Sequence, residues 1–383
     1  MQAFSCACGQ PLLFDNTRCV GCGADIGFDP QTARLGPIDA ASDGAWSFRG
    51  ATANVERFRL CEHRATDVAC NWMLPAHEPF AACLSCRTTR TIPNLSRPRN
   101  AQRVRELEGA KRRVLFDILG MDLPVVPQEE DPERGVAFDF LETLEGEPPV
   151  MTGHAAGLIT LNVAEADDDY RERNRGHLSE PYRTLVGHLR HELGHYYWDR
   201  LLRDGPWLRP FRGLFGDERA DYGEALQQHY ANGPPPDWRQ RFISSYAASH
   251  PWEDWAESWA HYLHLRSTLE TVASYRLDTN SVPLKITPFG PETLYGHPPR
   301  EAGEAFLAWI NAWVMLTTVL NETARSMGQP DLYPFDPSPN VLAKVRFIHE
   351  ILHPDATPPA RPRSTANSDR PRPRRTPARR KKE

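Results

Sequence analysis

Two histidines and a glutamate in the middle of the chain have the types and the spacing of a metal-dependent hydrolytic site. His191 and His195 are four residues apart, so on an α-helix they lie on one face and can bind one metal ion together. Glu192 follows the first histidine and is placed to act as a general base toward a water molecule. The pattern therefore predicts metal-assisted hydrolysis, with zinc as the metal that this spacing usually binds.

The residues around this motif have the periodicity of an amphipathic helix. Leu185, Leu189 and Leu193 recur at helical spacing and continue through the motif. We expect Ser179 to cap the N-terminus of this helix and Pro181 to lie in its first turn. The motif thus has the helical context that a two-histidine metal site requires.

A catalytic zinc site normally has three protein ligands, so a third ligand must come from elsewhere. Pro251 starts a second predicted helix, on which Glu253 and Glu257 lie one turn apart on one face. One carboxylate can bind the metal while the other accepts a hydrogen bond from a ligating histidine. Asp217 and Asp221 are competing third ligands, unless Asp217 caps a helix.

All eight cysteines lie within the first 86 residues, which indicates zinc binding rather than disulfides in a chain without a predicted signal peptide. The clusters comprise Cys6, Cys8, Cys19 and Cys22, and Cys61, Cys70, Cys83 and Cys86. Gly9 and Gly23 each follow a cysteine pair and allow the tight turn around a metal. His63 is an alternative ligand to Cys61, and the alternative for the whole set is ordinary buried thiols. Four thiolates leave no open position for substrate, so both zinc sites are expected to be structural.

Composition and charge indicate a soluble globular protein with a distinct C-terminus. The chain is 40% hydrophobic and 25% charged, and its N-terminus lacks the pattern of a secretory signal, so we expect a cytoplasmic location. The longest apolar stretch, Ala305–Leu320, is interrupted by Asn311 and predicts a buried helix rather than a membrane span. Residues 354–383 contain ten Lys/Arg and three Asp/Glu, which leaves a net charge of −12 on the rest of the chain. This proline-rich tail is expected to be disordered, and either keeps the chain soluble or contacts nucleic acid weakly.

The element pattern predicts an α+β fold. We expect a small zinc-ribbon module at 1–95, a mostly helical domain with a small mixed sheet at 96–353, and the disordered tail. Predicted strands cover Gly135–Leu141 and Gly157–Ala164. Further predicted helices cover Asn100–Leu119, Asp217–Tyr230, Trp252–Leu265, Glu301–Met327 and Pro339–Leu352.

The two motif helices together resemble those of the gluzincins, thermolysin-like zinc peptidases in which HExxH is followed by a helix with E-x-x-x-D/E. This resemblance implies that His191, His195 and Glu253 bind the catalytic zinc. It also implies that Glu192 is the general base and that Glu257 orients a ligating histidine. The expected substrate is a peptide or protein.

Two further expectations come from resemblance. The segment PWEDWAESWAHYL is similar to the (E/D)-F-F-A-E segments of the anthrax lethal factor group, in which a tyrosine seven residues before the glutamate ligand stabilises the oxyanion. Tyr246 holds that position here, with a packed helical residue as the alternative. By resemblance to gluzincins, Leu158–Ala164 is expected to be the edge strand that pairs with extended substrate, with Asn162 to Glu165 at its rim.

The chain as a whole resembles bacterial zinc-binding metallopeptidases with an N-terminal zinc-ribbon domain. The segments that carry this resemblance are the two cysteine clusters, CNWM, RTIPNLS, RHELGHYYWDRL, FGDERADY, HPWEDWAESWAHYLH and SMGQPDLYPF. The resemblance implies one catalytic and two structural zinc ions.

Two other functions stay open at the sequence level. One is a non-catalytic or sensory regulator whose ribbons and tail contact nucleic acid or protein. In the ribbon, the one tight cluster of arginines and aromatics consists of Arg57, Phe58, Arg59 and Arg64. The other is a protease recruited to nucleic acid, similar in logic to SprT-like enzymes.

Overall fold

The structure is a computed structural model of the full chain. It describes residues 2–50, 56–178, 184–278, 282, 284, 289–292 and 301–353. The predicted disorder of the tail 354–383 lies outside these residues. Within them the chain has an N-terminal β-rich part and a mostly helical part with its own small sheet, so the predicted α+β class is confirmed.

The N-terminal part contains two antiparallel sheets built from short strands. Strands β1 and β2 form a hairpin next to the first cysteine pair, and β3 to β7 form a five-stranded sheet in sequential order. The strands are β1 (Phe4–Ser5), β2 (Pro11–Leu12), β3 (Ile26–Asp29), β4 (Arg34–Ala40), β5 (Trp46–Phe48), β6 (Phe58–Leu60) and β7 (Met73–Pro75). Sequential order follows from short connections, which join antiparallel neighbours.

A four-stranded mixed sheet lies beside the helices. Its strands are β8 (Thr89–Thr91), β9 (Ala137–Leu141), β10 (Gly153–Ala155) and β11 (Leu158–Asn162). Strand β9 pairs in parallel with β8 and β11, and β11 pairs antiparallel with β10. The two predicted strands are confirmed, with ends that differ by one to two residues.

The edge of this sheet differs from the expectation for Leu158–Ala164. The order β10-β11-β9-β8 places β11 inside the sheet, between β10 and β9. The hairpin through Ala156 and Gly157 adds β10 outside β11. Both glycine and alanine adopt positive φ there, 81° and 47°, which closes this tight turn. The two edge strands are therefore β10 and β8, and β10 is the one beside β11, so the expectation that β11 is an edge strand was wrong.

The helices enclose the sheet and carry most of the core. They are α1 (Leu84–Arg87), α2 (Asn100–Leu119), α3 (Asp168–Leu178), α4 (Leu185–Leu201), α5 (Leu208–Phe215), α6 (Tyr222–Asn232), α7 (Trp238–Arg241), α8 (Pro251–Ser274), α9 (Glu301–Ser326) and α10 (Pro339–Leu352). The bounds predicted for α2 and α10 are confirmed. The helix α3 was not predicted, since its sequence is almost entirely polar.

Two helix starts differ from the prediction because other residues cap them. The motif helix α4 begins after Thr184, whose hydroxyl accepts a hydrogen bond from Gly187 N at 2.9 Å. The predicted cap Ser179 and Pro181 lie outside the described residues. The helix predicted to begin at Asp217 begins instead after Asp221, whose carboxylate accepts from Glu224 N at 2.8 Å.

The main hydrophobic core extends through both the ribbon and the helical part, and a smaller separate cluster lies within the ribbon sheet. The strand β8 begins three residues after Cys86 and joins the sheet of the helical part. Lys111 of α2 is fully buried and donates to Ser85 O, inside the last cysteine pair, at 2.8 Å. The predicted boundary at residue 95 stays a prediction, but the contacts across it are extensive.

One helix among the described residues is long and apolar enough to cross a membrane by length and composition. This is the Gly303–Ser326 part of α9. An 18-residue stretch of it has a mean hydropathy of 1.3, and 22% of that stretch is buried. The residues that α9 packs into the core are spaced at helical intervals: Phe306, Ile310, Trp313 and Leu316. The predicted burial of this segment therefore holds for one side of the helix.

Candidate metal centre

Helices α4 and α8 bring three potential metal ligands together. His191 Nε2 lies 3.2 Å from His195 Nε2 and 3.0 Å from a carboxylate oxygen of Glu253, and His195 Nε2 lies 3.5 Å from the other oxygen. These three residues form a group whose ligand atoms all lie within 4.8 Å of one another. The sequence-predicted ligands thus converge on one point.

A second carboxylate fixes the orientation of the first histidine. Glu257 Oε1 lies 2.7 Å from His191 Nδ1, on the opposite side of the ring from Glu253. Ser244 Oγ donates to the other oxygen of Glu257 at 2.6 Å. Although burial opposes ionisation, the hydrogen bond and charge of His191 lower the pKa of Glu257 to about 2. An ionised Glu257 selects the ring orientation in which Nε2 faces the ligand group.

The predicted general base, Glu192, is buried beside this group. Its exposed fraction is 7%, and its Oε2 has no hydrogen-bond partner among the described residues. Burial raises the pKa of Glu192, while the charges of His191 and His195 oppose the shift. A carboxylate with a free oxygen in this position can accept a proton.

A tyrosine that the sequence did not single out lies nearer the ligands than the predicted one. Tyr222, at the start of α6, donates from its hydroxyl to Glu253 Oε1 at 2.6 Å. The ring centroid of Tyr246 lies 6.1 Å from that of His191. The only sequence signal for Tyr222 was its place in the FGDERADY segment. This signal is weak because Tyr222 reaches the site through tertiary packing.

The donor set suits a zinc ion. Two imidazole nitrogens and one carboxylate are a common set of protein ligands for catalytic zinc. Glu253 is 1% exposed, and its Oε2 lacks a hydrogen-bond partner among the described residues. A buried, ionisable oxygen aimed at two histidine nitrogens is costly unless a cation or proton satisfies it. The residues present therefore fit the metal.

The competing ligands lie outside this group. Asp217 is exposed and forms an ion pair with Arg219 at 2.6 Å. Asp221 caps α6 through its side chain. Both carboxylates are therefore used for local structure. The alternative that Asp217 caps a helix was wrong, because Asp221 caps α6 and Asp217 pairs with Arg219.

Both cysteine clusters are assembled for metal binding. Each set of four thiols forms a group with sulfurs within 4.8 Å of one another, and Sγ–Sγ distances of 3.6 to 3.7 Å recur in both. Gly9 and Gly23 have positive φ, 88° and 73°, and each donates its N–H to the carbonyl that starts a cysteine turn. His63 Nδ1 lies 3.8 Å from Cys61 Sγ, next to the second group rather than in it.

The arginines proposed for nucleic-acid contact are engaged within the ribbon. Arg64 donates to Ile26 O and Thr17 O at 2.8 and 2.6 Å. Arg59 donates to Phe80 O at 2.6 Å, and Phe58 is buried. These side chains hold the short strands together.

Gly194 allows the close approach of α4 and α8. A Cβ at Gly194 would lie 3.0 Å from Ala256 Cα and 3.2 Å from the Trp259 ring, and Trp255 Nε1 donates to Gly194 O at 2.8 Å. We expect Gly194→Ala to cost about 1–3 kcal/mol of stability, because backbone atoms of α8 must move away. Thermal unfolding checks this.

Gly213→Ala provides the matched control for that substitution. Gly213 lies in α5, and nothing lies within 4 Å of the Cβ that would be added. Alanine there should leave stability unchanged or raise it by up to about 1 kcal/mol, because alanine favours the helix. Equal effects of the two variants would contradict the packing argument.

Comparison with known proteins agrees with the geometry. A zinc-ribbon domain model matches residues 3–97, and the model of a family described as "Putative zinc-binding metallo-peptidase" matches residues 100–351. The architecture is that of a metallopeptidase-type domain joined to a zinc ribbon. More specifically, the chain belongs to this zinc-binding metallopeptidase family, as the resemblance of its motifs implied.

Relatives of similar length exist in mycobacteria. An uncharacterized protein of Mycobacterium bovis and one of Mycobacterium tuberculosis are each 40% identical to this chain over 354 residues. The matched region covers 92% of this chain and 95% of each relative. No solved structure matches.

Proposed function

We propose that the protein is a gluzincin-type zinc metallopeptidase that hydrolyses peptide bonds in peptides or proteins. The observation that carries this proposal is the convergence of His191, His195 and Glu253, with Glu257 on the far nitrogen of His191. This combines a ligand set with the hydrogen bond that orients it. Glu192 lies beside it on the same helix as the candidate base.

In this mechanism His191, His195 and Glu253 hold the zinc ion. Bound zinc supplies Lewis acidity, which polarises a carbonyl and makes a water molecule more acidic. Glu192 accepts the proton from the attacking water and returns it to the leaving amine.

A tyrosine hydroxyl near the ligand group can stabilise negative charge on the substrate oxygen. Tyr246 holds the position implied by sequence, and Tyr222 bonds directly to Glu253. Both hydroxyls are protonated at neutral pH, because burial raises the pKa of each side chain. The Tyr246 hydroxyl can therefore donate a hydrogen bond to a developing oxyanion, whereas the Tyr222 hydroxyl already donates its hydrogen to Glu253.

The free sheet edge offers a place for an extended substrate. The strand β10 carries His154, whose ring stacks 6.2 Å from that of His195. A peptide that adds to this edge as a further strand passes beside the ligand group. This role falls to Gly153–Ala155, since β11 is inside the sheet.

The direct test is peptide cleavage by the full zinc-loaded chain. We expect a mixed peptide library to be cut in a time-dependent way, and the cut sites to share residue preferences. Absence of any cleavage by a folded chain with its zinc bound would contradict a peptidase function.

Metal content gives an independent prediction. We expect three zinc ions per chain, one at His191, His195 and Glu253 and one at each cysteine cluster. His191→Ala should reduce the content to two without unfolding the ribbon, which metal analysis and circular dichroism measure. A content of one zinc in the intact protein would exclude the arrangement.

A further inference from the structure

A second cavity lies between the ribbon and the helical part, away from the metal centre. It has a volume of about 660 Å³. Its lining includes residues 15–18, between the two cysteine pairs of the first cluster, and residues of α2 and of the start of α4. A cavity of this size accommodates a small organic ligand. We call it the arginine pocket after the five arginines that line it: Arg18, Arg105, Arg112, Arg113 and Arg171.

The charge of the arginine pocket favours an anion. The lining side chains include five arginines and two carboxylates, Asp15 and Glu106, a net charge of +3, which the pairing of Arg171 with Asp168 reduces to +2. The whole chain has a formal net charge of −5. A local excess of positive charge on an acidic protein is a departure from the general charge pattern and attracts negative ligands.

A buried arginine in this pocket has unused hydrogen-bond donors. Arg112 is 2% exposed, and no acceptor among the described residues bonds to its Nε or Nη1. Burial disfavours its charged form, but the charges of Cys70, Glu108 and Asp15 outweigh burial and raise the pKa of the Arg112 guanidinium. A buried guanidinium with two free N–H groups is costly unless an anion or another acceptor binds it.

The same pocket receives the N-terminus of a long helix. Thr184, Leu185 and Val186 line it, and they are the cap and the first two residues of the 17-residue helix α4. The N-terminus of a helix carries positive partial charge and free N–H groups, which bind phosphate and similar anions. It adds to the positive charge of the arginines.

A carboxylate of the protein occupies part of this positive surface. Arg113 Nη2 donates to Asp15 Oδ2 at 2.6 Å, while Asp15 Oδ1 lies 3.8 Å from Arg112 Nη2 and has no hydrogen-bond partner among the described residues. Arg113 is 39% exposed in its side chain, so a ligand can reach it and replace Asp15 as its partner. Asp15 thus marks where an anionic group fits and also competes with it.

From these features we propose that the arginine pocket binds a small phosphate-bearing molecule, with Arg112 and Arg113 as donors to its phosphate oxygens. Arginine suits phosphate because its planar fork donates two parallel hydrogen bonds. Free inorganic phosphates and nucleotides share this chemistry. The proposal does not depend on the peptidase function.

The test is calorimetric titration of the full zinc-loaded chain in phosphate-free buffer. The probes are inorganic phosphate, inorganic pyrophosphate and a nucleoside triphosphate. We expect saturable one-site binding of at least one probe. Tighter binding of the nucleotide than of pyrophosphate assigns the pocket to nucleotides, and equal binding assigns it to inorganic anions. If no probe binds at millimolar concentration, the proposal is wrong.

Variants separate the pocket from other anion sites. Arg112→Gln and Arg113→Gln should each weaken binding on the order of tenfold, and Asp15→Asn should strengthen it, because a competing carboxylate is removed. Arg49→Gln is the matched control, since Arg49 pairs with Asp39 on an exposed hairpin outside the pocket.

Asp15→Asn keeps the test decisive if Arg112→Gln fails to fold. Unchanged or weaker binding in Asp15→Asn would overturn the proposal, as would unchanged binding in Arg113→Gln. His191→Ala should bind the probes as the wild type does. Loss of binding in His191→Ala would place the anion on the catalytic metal instead and would also overturn the proposal.

Discussion

Glu192→Gln is expected to retain all three zinc ions and to lose peptide hydrolysis by about 10²–10⁴-fold. Glutamine has the shape of glutamate but does not accept the proton of the attacking water. Glu192 is not one of the three grouped ligands, so the metal content should not change. Cleavage rates, normalised to bound zinc, measure the effect.

The control for this substitution is Glu322→Gln. Glu322 is an exposed residue of α9 that pairs with Arg325, away from the metal centre. It should leave the rate and the zinc content unchanged. A Glu192→Gln protein that cleaves peptides at the wild-type rate would show that another group acts as the base. It would contradict the role proposed for Glu192 in the motif His191–His195.

The second large effect is expected at Glu253. Glu253→Ala should lose the catalytic zinc and retain the two zinc ions of the cysteine clusters, because two histidines alone bind zinc weakly. Glu257→Ala should weaken the same zinc by about 10–100-fold, since it removes only the hydrogen bond that orients His191. Competition with a zinc-binding dye measures both affinities.

The aspartates that competed with Glu253 serve as controls. Asp217→Ala should have no effect on zinc, because Asp217 is exposed and paired with Arg219. Asp221→Ala should cost about 1 kcal/mol through the lost cap of α6 and leave three zinc ions bound. Full zinc affinity in Glu253→Ala together with loss in either aspartate variant would move the third ligand to α6 or to the loop before it.

Much of the site was predictable because its spacing is local. The turn of a helix separates His191 from His195 and Glu253 from Glu257, so sequence alone places each pair on one face. The same logic predicted the bounds of α2. The contact between α4 and α8 could not be predicted from the sequence, because the close approach at Gly194 depends on packing between residues more than 60 positions apart.

The parts that sequence missed depend on long-range contacts. Tyr222 donates to Glu253 and Ser244 donates to Glu257 from separate segments of the chain, and no local pattern distinguishes either from other polar residues. The edge position of β10 was missed because three residues with a histidine and a glycine carry little strand signal. Strand order is set by pairing between segments, which the sequence of one segment does not encode.

The strand that follows the second cysteine cluster links the folding of the mixed sheet to metal binding at that cluster. Because Thr89–Thr91 follows Cys86 so closely, we expect release of a metal from that cluster to loosen this edge strand and the contact of buried Lys111 with Ser85 O. A chain that lacks metal at this cluster would then unfold more readily and be open to degradation. The amount of folded protein would then depend on zinc availability.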